Sequence, residues 1–537
     1  MQKVSVNRTM QGISAIVVIA VAVVLGMNPE GGQKVLKNLF SYLTSTFDTL
    51  YLVVGFSSLI FLIYLAMSKY GDIVLAKDKN APATFSKFTW TAMIFSAGVA
   101  TGLILWGTIE WGYHFQSPPM GFEPKSKEAL IAGLGYGIFH WGPTAWAFYC
   151  VPAVTIGYIF YCREKYAYNI SEACRGVLGP LTDGILGKII DYLFLFMILG
   201  ASATTLAFGV PMISTAITEV FGIEKSVYLD ISLIITTSLV FTLSARSGLA
   251  KGMAKLANFA VIVSIALFVY ILVVGPTSFI LKIGLESISF FANNFISMSL
   301  MTDPIATKIT EDGTQILSQQ SASFPQMWTV FYWAWWVVYG PFMGLFVTRI
   351  SQGRTIREVI IGMLFWGTLG CTIFYGILGG YGMDLYLNGI LDLPKMLNEL
   401  GGAQTVIEVF KTLPMSDFIL VLLAIIGVVF LATTFDSAAS TMACVSTKGK
   451  LGEGVEPDNN NKLFWCLLIA ILPIALLLIG GGMKPVQSAS VLMALPTMLI
   501  SIMMMITLLK FLKEDEVIES PTMEENSGEE IVLCAKN

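Results

Sequence analysis

Residues 331–339 read Phe-Tyr-Trp-Ala-Trp-Trp-Val-Val-Tyr, six aromatic side chains in nine positions inside an apolar run. Tryptophan in membrane helices usually collects at the two lipid–water interfaces. Trp335 and Trp336 lie about ten residues beyond Pro325, near mid-bilayer at a helical rise of about 1.5 Å per residue. The stretch therefore predicts a membrane helix whose aromatic rings do more than anchor it at the interface.

One face of this helix collects most of the rings. At about 100° per residue an arc of about 140° holds Phe331, Tyr332, Trp335, Trp336, Tyr339 and Met343. Trp333 falls outside the arc. A quaternary ammonium group cannot donate a hydrogen bond, so aromatic faces are the side chains that suit it. The arc indicates either a site for such a cation or a packed aromatic core between helices.

A second aromatic arc lies at residues 139–149, Phe-His-Trp-Gly-Pro-Thr-Ala-Trp-Ala-Phe-Tyr. Trp141, Trp146 and Tyr149 share one side of it, again well inside an apolar run. Two such arcs facing each other would form a cage of ring faces. The pair therefore favours a bound methylated cation over simple core packing.

The composition identifies a polytopic membrane protein. The chain has 537 residues, 55% hydrophobic and 13% charged, and apolar runs of membrane-spanning length fill most of it. A soluble globular protein is excluded. We predict an all-α fold with twelve transmembrane helices, at 10–27, 47–68, 88–113, 129–161, 188–220, 227–245, 252–276, 325–351, 356–381, 415–446, 463–482 and 485–512.

The positive charges predict the orientation of these helices. Of the 32 Lys and Arg residues, ten fall on one side of the predicted helices, all of them lysines, and the rest fall on the side that holds both termini. Because basic residues concentrate on the cytoplasmic side, both termini are predicted to be cytoplasmic. The location predicted for the protein is the plasma membrane, the inner one in a bacterium.

The chain divides into one membrane domain, residues 1–512, and an acidic tail, residues 513–537, predicted to be disordered and cytoplasmic. Interrupted helices five apart are typical of inverted repeats. Helix 3, with its glycines, and helix 8, with the aromatic arc, predict one repeat at about 88–276 and another at about 325–512. Residues 277–297 alternate apolar and polar side chains and predict an interfacial amphipathic helix.

The sequence offers little for catalysis. Its seven cysteines show no paired or metal-type spacing, so no disulfide or zinc site is predicted. Its two histidines, His114 and His140, form no nucleophile–base pair or metal constellation recognisable from the sequence. We therefore predict neither an enzyme nor an organic cofactor, and no nucleic-acid partner.

Four segments carry a resemblance to a known family. They read Trp-Gly-Thr-Ile-Glu at 106–110, Phe-His-Trp-Gly-Pro at 139–143, Trp-Thr-Val-Phe-Tyr-Trp-Ala-Trp-Trp at 328–336, and Arg-Ile-Ser-Gln-Gly-Arg-Thr at 349–355. In these motifs, and along essentially residues 10–510, the chain resembles the betaine/carnitine/choline transporters. The resemblance implies the ten-helix inverted-repeat fold with two extra N-terminal helices, and usually a homotrimer.

The resemblance also implies a substrate site. The central box would comprise Trp141, Trp335, Trp336 and Tyr339, and the residues near them or along the path would be Tyr113, Trp146, Tyr149 and Met343. Tyr339 and Met343 stand where carnitine-type members also have Tyr and Met, whereas glycine-betaine members tend to have Trp at the first position. The identity of the substrate therefore stays open.

Sodium wants oxygen ligands, which membrane proteins supply from hydroxyls and from carbonyls freed where a helix unwinds. Residues 96–102 can unwind because glycine tolerates irregular backbone, and residues 430–437 offer adjacent hydroxyls. The resemblance implies a sodium site from Ser96, Val99, Phe430, Thr433 and Thr434, and a second ion near Thr204, Thr205 and Phe342. The alternative is that the threonine hydroxyls bond back to their own helix carbonyls.

Departures from family patterns bear on the coupling ion. Sodium-independent exchangers place an arginine where this chain has Ala260, and proton-coupled choline carriers tend to have an aspartate near Thr101. Both differences favour sodium. The run Gly-Val-Ala-Thr-Gly at 98–102 nevertheless departs from the Gly-Met-Gly-Ile-Gly of sodium-driven betaine carriers.

Charged or titratable residues inside spans are costly and draw functional suspicion. We expect Glu110, Asp436 and His140 to serve structural hydrogen bonds, although His140 could also be read as a proton relay. The cluster at the inner end of helix 8 is expected to form a cytoplasmic salt network, and comprises Arg349, Arg354, Arg357 and Glu358.

Together these features predict a secondary active transporter that imports a trimethylammonium solute of the glycine betaine, carnitine or choline type. Import would be coupled to sodium and proceed by alternating access. The main alternative is a sodium-independent exchanger of carnitine or a related betaine with its metabolic product. An osmotic sensor or channel is less well supported, because sensing members of the family tend to carry long basic tails and this tail is acidic.

Overall fold

The computed structural model describes residues 5–99, 101–165, 168–247, 252–309, 315–320, 323–448, 456–479 and 483–519. Helices account for most of them, which confirms the predicted all-α class. In chain order the first eleven are α1 (Arg8–Met27), α2 (Pro29–Thr46), α3 (Asp48–Met67), α4 (Lys87–Val99), α5 (Gly102–Gln116), α6 (Lys127–His140), α7 (Pro143–Gly157), α8 (Arg175–Leu178), α9 (Ile185–Phe221), α10 (Val227–Ser247) and α11 (Ala254–Val274).

The second half of the chain contributes eleven more helices. They are α12 (Thr277–Leu300), α13 (Phe324–Met327), α14 (Thr329–Ile350), α15 (Ile356–Ile361), α16 (Thr368–Phe374), α17 (Gly380–Leu387), α18 (Leu393–Glu399), α19 (Gly402–Lys411), α20 (Ser416–Val445), α21 (Asn459–Ile479) and α22 (Met483–Glu519). Three π-helical turns, at Tyr158–Cys162, Gly362–Gly367 and Tyr375–Gly379, and three 3₁₀ turns, at Lys69–Asp72, Glu172–Cys174 and Gly179–Asp183, extend or link them.

Strands are few among the described residues, and they pair in two short antiparallel ribbons. Strand β1 (Ser5–Val6) pairs with β4 (Thr447–Lys448), so the N-terminus lies beside the end of α20. Strands β2 (Ile305–Ile309) and β3 (Gln315–Gln319) form a hairpin with Ile305 opposite Gln319. This hairpin occupies the polar stretch between α12 and α13.

The described helices include ten that are long and apolar enough to cross a membrane, or up to twelve if each bent pair counts as one span. Nine coincide with predicted spans, and the predicted spans at 10–27 and 88–113 belong to the two bent pairs. The predicted span at 463–482 lies in α21, which counts only as a shorter apolar helix, Asn459–Ala475. The tenth is α12, so the interfacial placement of 277–297 stays a prediction.

Helix α2 is a feature that the sequence analysis did not anticipate. Residues 29–46 lie between two predicted spans, and they form a helix bent by 110° from the first one. The Asn28 side chain accepts from the Gly31 backbone N–H at 2.9 Å, and Pro29 occupies the first turn. Both are start signals for a helix, and its mixed composition hid it from a search for apolar runs.

The acidic tail also begins differently from the prediction. Residues 513–519 continue α22 instead of being disordered, and the remainder, 520–537, lies outside the described residues. Asp515 accepts from the Arg163 guanidinium at 2.7 Å, and Glu516 accepts from the Tyr70 hydroxyl at 2.8 Å. These partners hold the last turns of α22 against the ends of two other helices.

Two breaks between consecutive helices lie near the centre of the molecule. Helices α4 and α5 meet at an angle of 60°, at the segment that the sequence predicted to unwind. Helices α6 and α7 are separated by Trp141 and Gly142, where an added Cβ at Gly142 would lie 2.7 Å from the Ile138 carbonyl oxygen. Pro143 then starts α7. Helix α14 packs along α7 and also contacts α4, α9 and α20.

Candidate functional site

A small cavity lies where α4, α5, α9, α14 and α20 meet the junction of α6 and α7. It is lined by Gly98, Val99, Gly102, Trp141, Tyr149, Thr205, Phe208, Trp335, Trp336, Tyr339 and Thr434. Its volume is about 20 Å³, little more than the roughly 10–15 Å³ that the centre of one water molecule needs. The rings around it are therefore closely packed, and a trimethylammonium group would require them to separate.

Three indoles form the heart of this cavity. The ring centroid of Trp141 lies 6.0 Å from that of Trp335 and 5.4 Å from that of Trp336, at interplanar angles of 84° and 80°. Such edge-to-face contacts suit aromatic quadrupoles. The three indoles are at most 7% exposed, so they face protein and not lipid. The predicted convergence of the two aromatic arcs is thus present in the structure.

The other predicted substrate residues take different positions. Tyr149 lines the cavity 4.7 Å from Trp336 between ring centroids, and Trp146 lies behind Trp336 at 5.6 Å. Met343 is fully buried next to Gly98. Tyr113 does not line the cavity. It packs instead on Trp328, 5.6 Å away between centroids, near the start of α14.

The glycines of the α4–α5 break let the rings approach the backbone. A Cβ added at Gly98 would lie 3.2 Å from Tyr149, 3.3 Å from Trp146 and 3.4 Å from Met343. At Gly102 the added carbon would lie 3.5 Å from both Trp141 and Trp335. The Tyr149 hydroxyl also donates to the Gly98 carbonyl at 3.2 Å. The break therefore forms one wall of the cavity.

Tyr339 is fixed by hydrogen bonds to α9. Its hydroxyl lies 2.6 Å from the Thr205 hydroxyl and donates to the Ala201 carbonyl at 3.0 Å. Thr204, one residue before Thr205, bonds back to the Gly200 carbonyl at 3.2 Å. The oxygens predicted for a second sodium thus already serve α9 and Tyr339, and Phe342 is fully buried on α14.

Oxygens cluster where α4 meets α20. The hydroxyls of Thr433 and Thr434 lie 3.4 and 3.3 Å from the Ser96 carbonyl oxygen, and 2.9 and 3.1 Å from the Phe430 carbonyl oxygen. The same two hydroxyls therefore bond back to their own helix and reach the neighbouring one. The Ser96 hydroxyl is buried and has no hydrogen-bond partner among the residues that the structure describes, and Val99 lines the cavity.

This oxygen cluster fits a hard monovalent cation. Oxygen ligands at about 2.3–2.6 Å, as around calcium, stand roughly 3.3–3.7 Å apart in an octahedral shell. The four oxygens of Ser96, Phe430, Thr433 and Thr434 lie slightly closer, at 2.9–3.4 Å, as expected for atoms that now share hydrogen bonds. Carbonyl and hydroxyl oxygens are also the correct donor type for sodium.

Sequence reasoning missed some lining residues because they belong to no local pattern. Phe208 on α9 lies 5.8 Å from Trp335 between ring centroids, and it also packs against Trp106 at 5.8 Å. The sequence predicts Thr205 only as a residue near a second sodium ion, whereas in the structure it lines the cavity next to Tyr339. Both belong to the long apolar helix α9, whose sequence gives no signal for which of its sides faces the arcs.

Glu110 lies at the centre of a buried polar network, as expected for a structural carboxylate. One of its oxygens accepts from the Tyr332 hydroxyl at 2.6 Å and from the Tyr375 hydroxyl. Its other oxygen lies 2.8 Å from His140 Nδ1, and His140 Nε2 lies 3.0 Å from the Thr329 hydroxyl. The network ties α5 to α6, α14 and the π-helical turn at 375–379.

Hydrogen bonds or ion pairs also hold the other charged residues that the sequence analysis singled out. Asp436 accepts from the Ser244 hydroxyl of α10. Arg349 pairs with Glu456 at 3.0 Å and donates to the Ser440 hydroxyl at 2.8 Å. Arg354 donates to the Phe85 carbonyl at 2.8 Å and Arg357 to the Ala66 carbonyl at 2.7 Å, while Glu358 caps the start of α15. None of these residues lines the cavity.

Comparison with known proteins identifies the family of this chain. The family model for betaine/carnitine/choline family transporters matches residues 9–517. The chain is 31% identical over 491 residues to a carnitine transporter of Acinetobacter baumannii, covering 91% of this chain and 86% of that one. It is 32% identical over 502 residues to the glycine betaine transporter OpuD of Bacillus subtilis, covering 93% of each.

A third relative, the uncharacterized transporter YeaV of Escherichia coli, is 34% identical over 453 residues, which cover 84% of this chain and 90% of that one. These matches extend over nearly the whole membrane domain, so they concern the complete fold and not one motif. They identify a multi-pass membrane transporter and not an enzyme. This chain belongs to the betaine/carnitine/choline transporter family.

Proposed function

We propose that this protein moves a solute with a trimethylammonium group across the membrane, and that Trp141, Trp335 and Trp336 hold that group. The observation that carries the proposal is the close approach of three buried indoles from two different helical segments, within 6.0 Å of Trp141. Each desolvated ring face contributes about 0.5–2 kcal/mol to binding such a cation. Three or four faces would then give millimolar to micromolar affinity after ordering costs.

Alternating access supplies the opening that the closed cavity requires. At about 20 Å³ the cavity has no room for a trimethylammonium group, so binding must be accompanied by separation of the rings. Rocking of one five-helix repeat against the other would separate α14 from the α4–α5 break. Gly98, Gly102 and Trp141 belong to one predicted repeat, whereas Trp335 and Trp336 belong to the other, so the interface between the repeats is the natural gate.

Sodium is the proposed coupling ion. The oxygens of Ser96, Phe430, Thr433 and Thr434 would bind it, with Val99 beside them, and Thr434 also lines the substrate cavity. An ion at this place would hold α20 against α4, so its presence would favour one arrangement of the two repeats. Because ion binding and the arrangement of the repeats are linked in this way, sodium that enters down its gradient would drive import of the trimethylammonium solute.

A sodium-independent exchanger is the second candidate. It is favoured by one observation, that both threonine hydroxyls are already satisfied by the Phe430 carbonyl at 2.9 and 3.1 Å. The helix would then be complete without an ion. Counterflow in vesicles with no sodium on either side separates this exchanger from a symporter.

The proposal includes a location and an assembly. The protein would lie in the plasma membrane as a homotrimer, with both termini in the cytoplasm. Support for the side of the N-terminus comes from β1 and β4, because their pairing puts residues 5–6 next to the inner end predicted for α20. Surrounding lipid would contact the exposed apolar side chains of the outer helices.

The test is uptake into vesicles containing the purified protein. Glycine betaine, carnitine, choline and butyrobetaine are each offered with an inward sodium gradient and, separately, with potassium in place of sodium. We expect saturable uptake of at least one of them that depends on sodium. Trp336→Ala should weaken its affinity by about 10- to 30-fold, since it removes roughly one strong ring face.

The matched control is Trp366→Ala. Trp366 is 49% exposed on the outer surface of the helix bundle, so its removal should leave uptake unchanged. Equal affinity in the Trp336→Ala variant and the wild type would overturn the aromatic box. Uptake that is identical in sodium and potassium would overturn sodium coupling while leaving the box intact.

A further inference from the structure

Three metal-ligating side chains meet in the interior, beside the substrate cavity but not lining it. Glu110 and His114 are one helical turn apart on α5, and His140 is the last residue of α6. All three are fully buried, and one ligand atom from each lies within 4.8 Å of the other two. His114 and His140 are the only two histidines of the chain. Their meeting could not be read from the sequence, because His140 belongs to another helix.

One hydrogen bond of His114 shows which of its two ring nitrogens carries the proton and which one has a free lone pair. Its Nδ1 lies 3.2 Å from the Gly133 carbonyl oxygen. A carbonyl oxygen only accepts, so Nδ1 carries the proton in the neutral ring. The Nε2 atom then presents a lone pair, and although it is buried it has no hydrogen-bond partner in the part of the chain that the structure describes. It points at Glu110, whose nearer oxygen is 3.6 Å away.

A lone pair and a carboxylate oxygen repel each other across this distance in a medium of low dielectric constant. A positive charge between them would turn that repulsion into attraction. From this geometry we infer that Glu110, His114 and His140 form a binding site for a divalent transition metal of the zinc class. Two imidazoles and one carboxylate are an established ligand set for zinc.

The distances are those of a site close to its bound form. Ligand bonds of about 2.0–2.2 Å place tetrahedral ligand atoms roughly 3.3–3.6 Å apart. The nearer Glu110 oxygen lies 2.8 Å from His140 Nδ1 and 3.6 Å from His114 Nε2. All three ligand atoms lie within 4.8 Å of one another, so shifts of about 1 Å would bring them to a common metal, with water in the fourth position.

The surrounding groups would support each ligand. His114 donates its other ring N–H to a backbone carbonyl, the arrangement that orients metal-bound histidines. His140 would give up its Nδ1 proton and carry one on Nε2 instead, where the Thr329 hydroxyl at 3.0 Å can accept it. The second oxygen of Glu110 already accepts from Tyr332 and Tyr375, which keeps its first oxygen directed toward the cluster.

A bound metal would also affect transport. This consequence, unlike the site itself, rests on the proposed function. The ligands and their partners join α5, α6, α14 and the π-helical turn at 375–379, and Tyr332 packs 6.0 Å from Trp141 between centroids. Linking these elements more tightly would oppose the separation of the rings. Micromolar zinc is therefore expected to slow uptake.

The experiment uses full-length protein with a tag free of histidine, stripped with a chelator and then titrated with Co²⁺. We expect one Co²⁺ per chain and a visible ligand-field spectrum of nitrogen and oxygen ligation, reversed by Zn²⁺. His114→Ala and Glu110→Gln should each abolish the spectrum. Glu128→Gln, a change at an exposed residue in the first turn of α6, should leave it unchanged.

Binding and thermal unfolding are measured on the same samples, so that misfolded variants are recognised. If His114→Ala does not fold, the wild-type protein still decides the question, because Zn²⁺ but not Mg²⁺ should raise its unfolding temperature. Absence of Co²⁺ binding by the wild type, thiolate bands in its spectrum, or an unchanged spectrum in His114→Ala would overturn the site. None of these outcomes depends on uptake, so they leave the proposed function untouched.

Discussion

The Thr434 hydroxyl of α20 lies 3.3 Å from the Ser96 carbonyl oxygen of α4. Thr434 also lines the aromatic cavity, so a single side chain touches both the proposed ion ligands and the proposed substrate space. Helix α4 ends three residues after Ser96, at the break whose glycines form a wall of that cavity. Occupancy of one site is therefore expected to change the geometry of the other.

The first prediction concerns this shared hydroxyl. Thr434→Val keeps the shape of the side chain but removes an oxygen, so it should raise the sodium concentration for half-maximal uptake by about 10-fold or more. Thr434→Ser retains the oxygen and should remain close to the wild type. Uptake measured against sodium concentration in vesicles provides the comparison, with substrate held at saturation.

Thr441→Val is the control for that series. Thr441 lies on the same helix, is 1% exposed, and its hydroxyl has no hydrogen-bond partner among the described residues. The same chemical change there should not alter the dependence on sodium. An equal response of Thr434→Val and Thr441→Val would argue against ion binding at Thr434.

The second prediction concerns the glycine wall. Gly98→Ala adds a carbon 3.2 Å from Tyr149 and 3.3 Å from Trp146, so it should lower the affinity for substrate or block its binding. Alanine favours a helix over glycine by up to about 1 kcal/mol. This gain offsets part of the cost of displacing the two rings, so the variant should stay close to the wild type in stability while transporting less.

Two measurements separate these effects, thermal unfolding of the purified protein and the concentration dependence of uptake. Gly376→Ala serves as the control, because an added carbon there meets no atom within 4 Å. Gly102→Ala, with contacts at 3.5 Å, should have an intermediate effect. Full transport by Gly98→Ala would show that the rings do not close against this wall in the cycle.

The third prediction concerns acid stability at the end of the bundle where α14 and α20 finish. Burial opposes ionisation of Glu456, but Arg349 at 3.0 Å and Lys462 at 2.8 Å outweigh it and hold the pKa of this carboxyl below its ordinary value of 4.5. Because the pKa is lower in the folded state, the stabilisation is complete above about pH 4.5 and is lost as the pH falls through the folded value.

Glu456→Gln should consequently lower the unfolding temperature at pH 7 and flatten its decline between pH 5 and 3. Unfolding temperatures measured across this range in detergent test the prediction. Glu224 is exposed and has no ion pair among the described residues. Glu224→Gln should therefore change neither the unfolding temperature at pH 7 nor its decline between pH 5 and 3. A Glu456→Gln variant with the full acid decline of the wild type would contradict the assigned ion pairs.

Much of the fold was predictable because it depends on local properties. Apolar runs long enough for a bilayer predicted most of the spans, and the glycines at 98 and 102 predicted the break between α4 and α5. Helix α2 was missed because an amphipathic helix lacks such a run. The start of the tail was misjudged because its acidic side chains are held by Arg163 and Tyr70, which are distant in sequence.

The candidate site shows the same division. Trp141, Trp335 and Trp336 could be selected because helical periodicity puts each on an aromatic arc, and arcs of this kind are rare inside spans. Phe208 could not, since nothing in its surroundings along α9 indicates the partner it meets. The place of Tyr113 along the path stays a prediction, since the structure shows only that its ring packs on Trp328 at the start of α14.

The sequence by itself determined the membrane class, the helical segments and the family, because each follows from apolar length, periodicity or a contiguous motif. Only the tertiary structure decided which side chains share a space: the three indoles, the oxygens of α4 and α20, and Glu110 with its two histidines. Such convergence depends on how helices from distant parts of the chain cross. Helix crossings are set by packing between surfaces, and no short stretch of sequence contains that information.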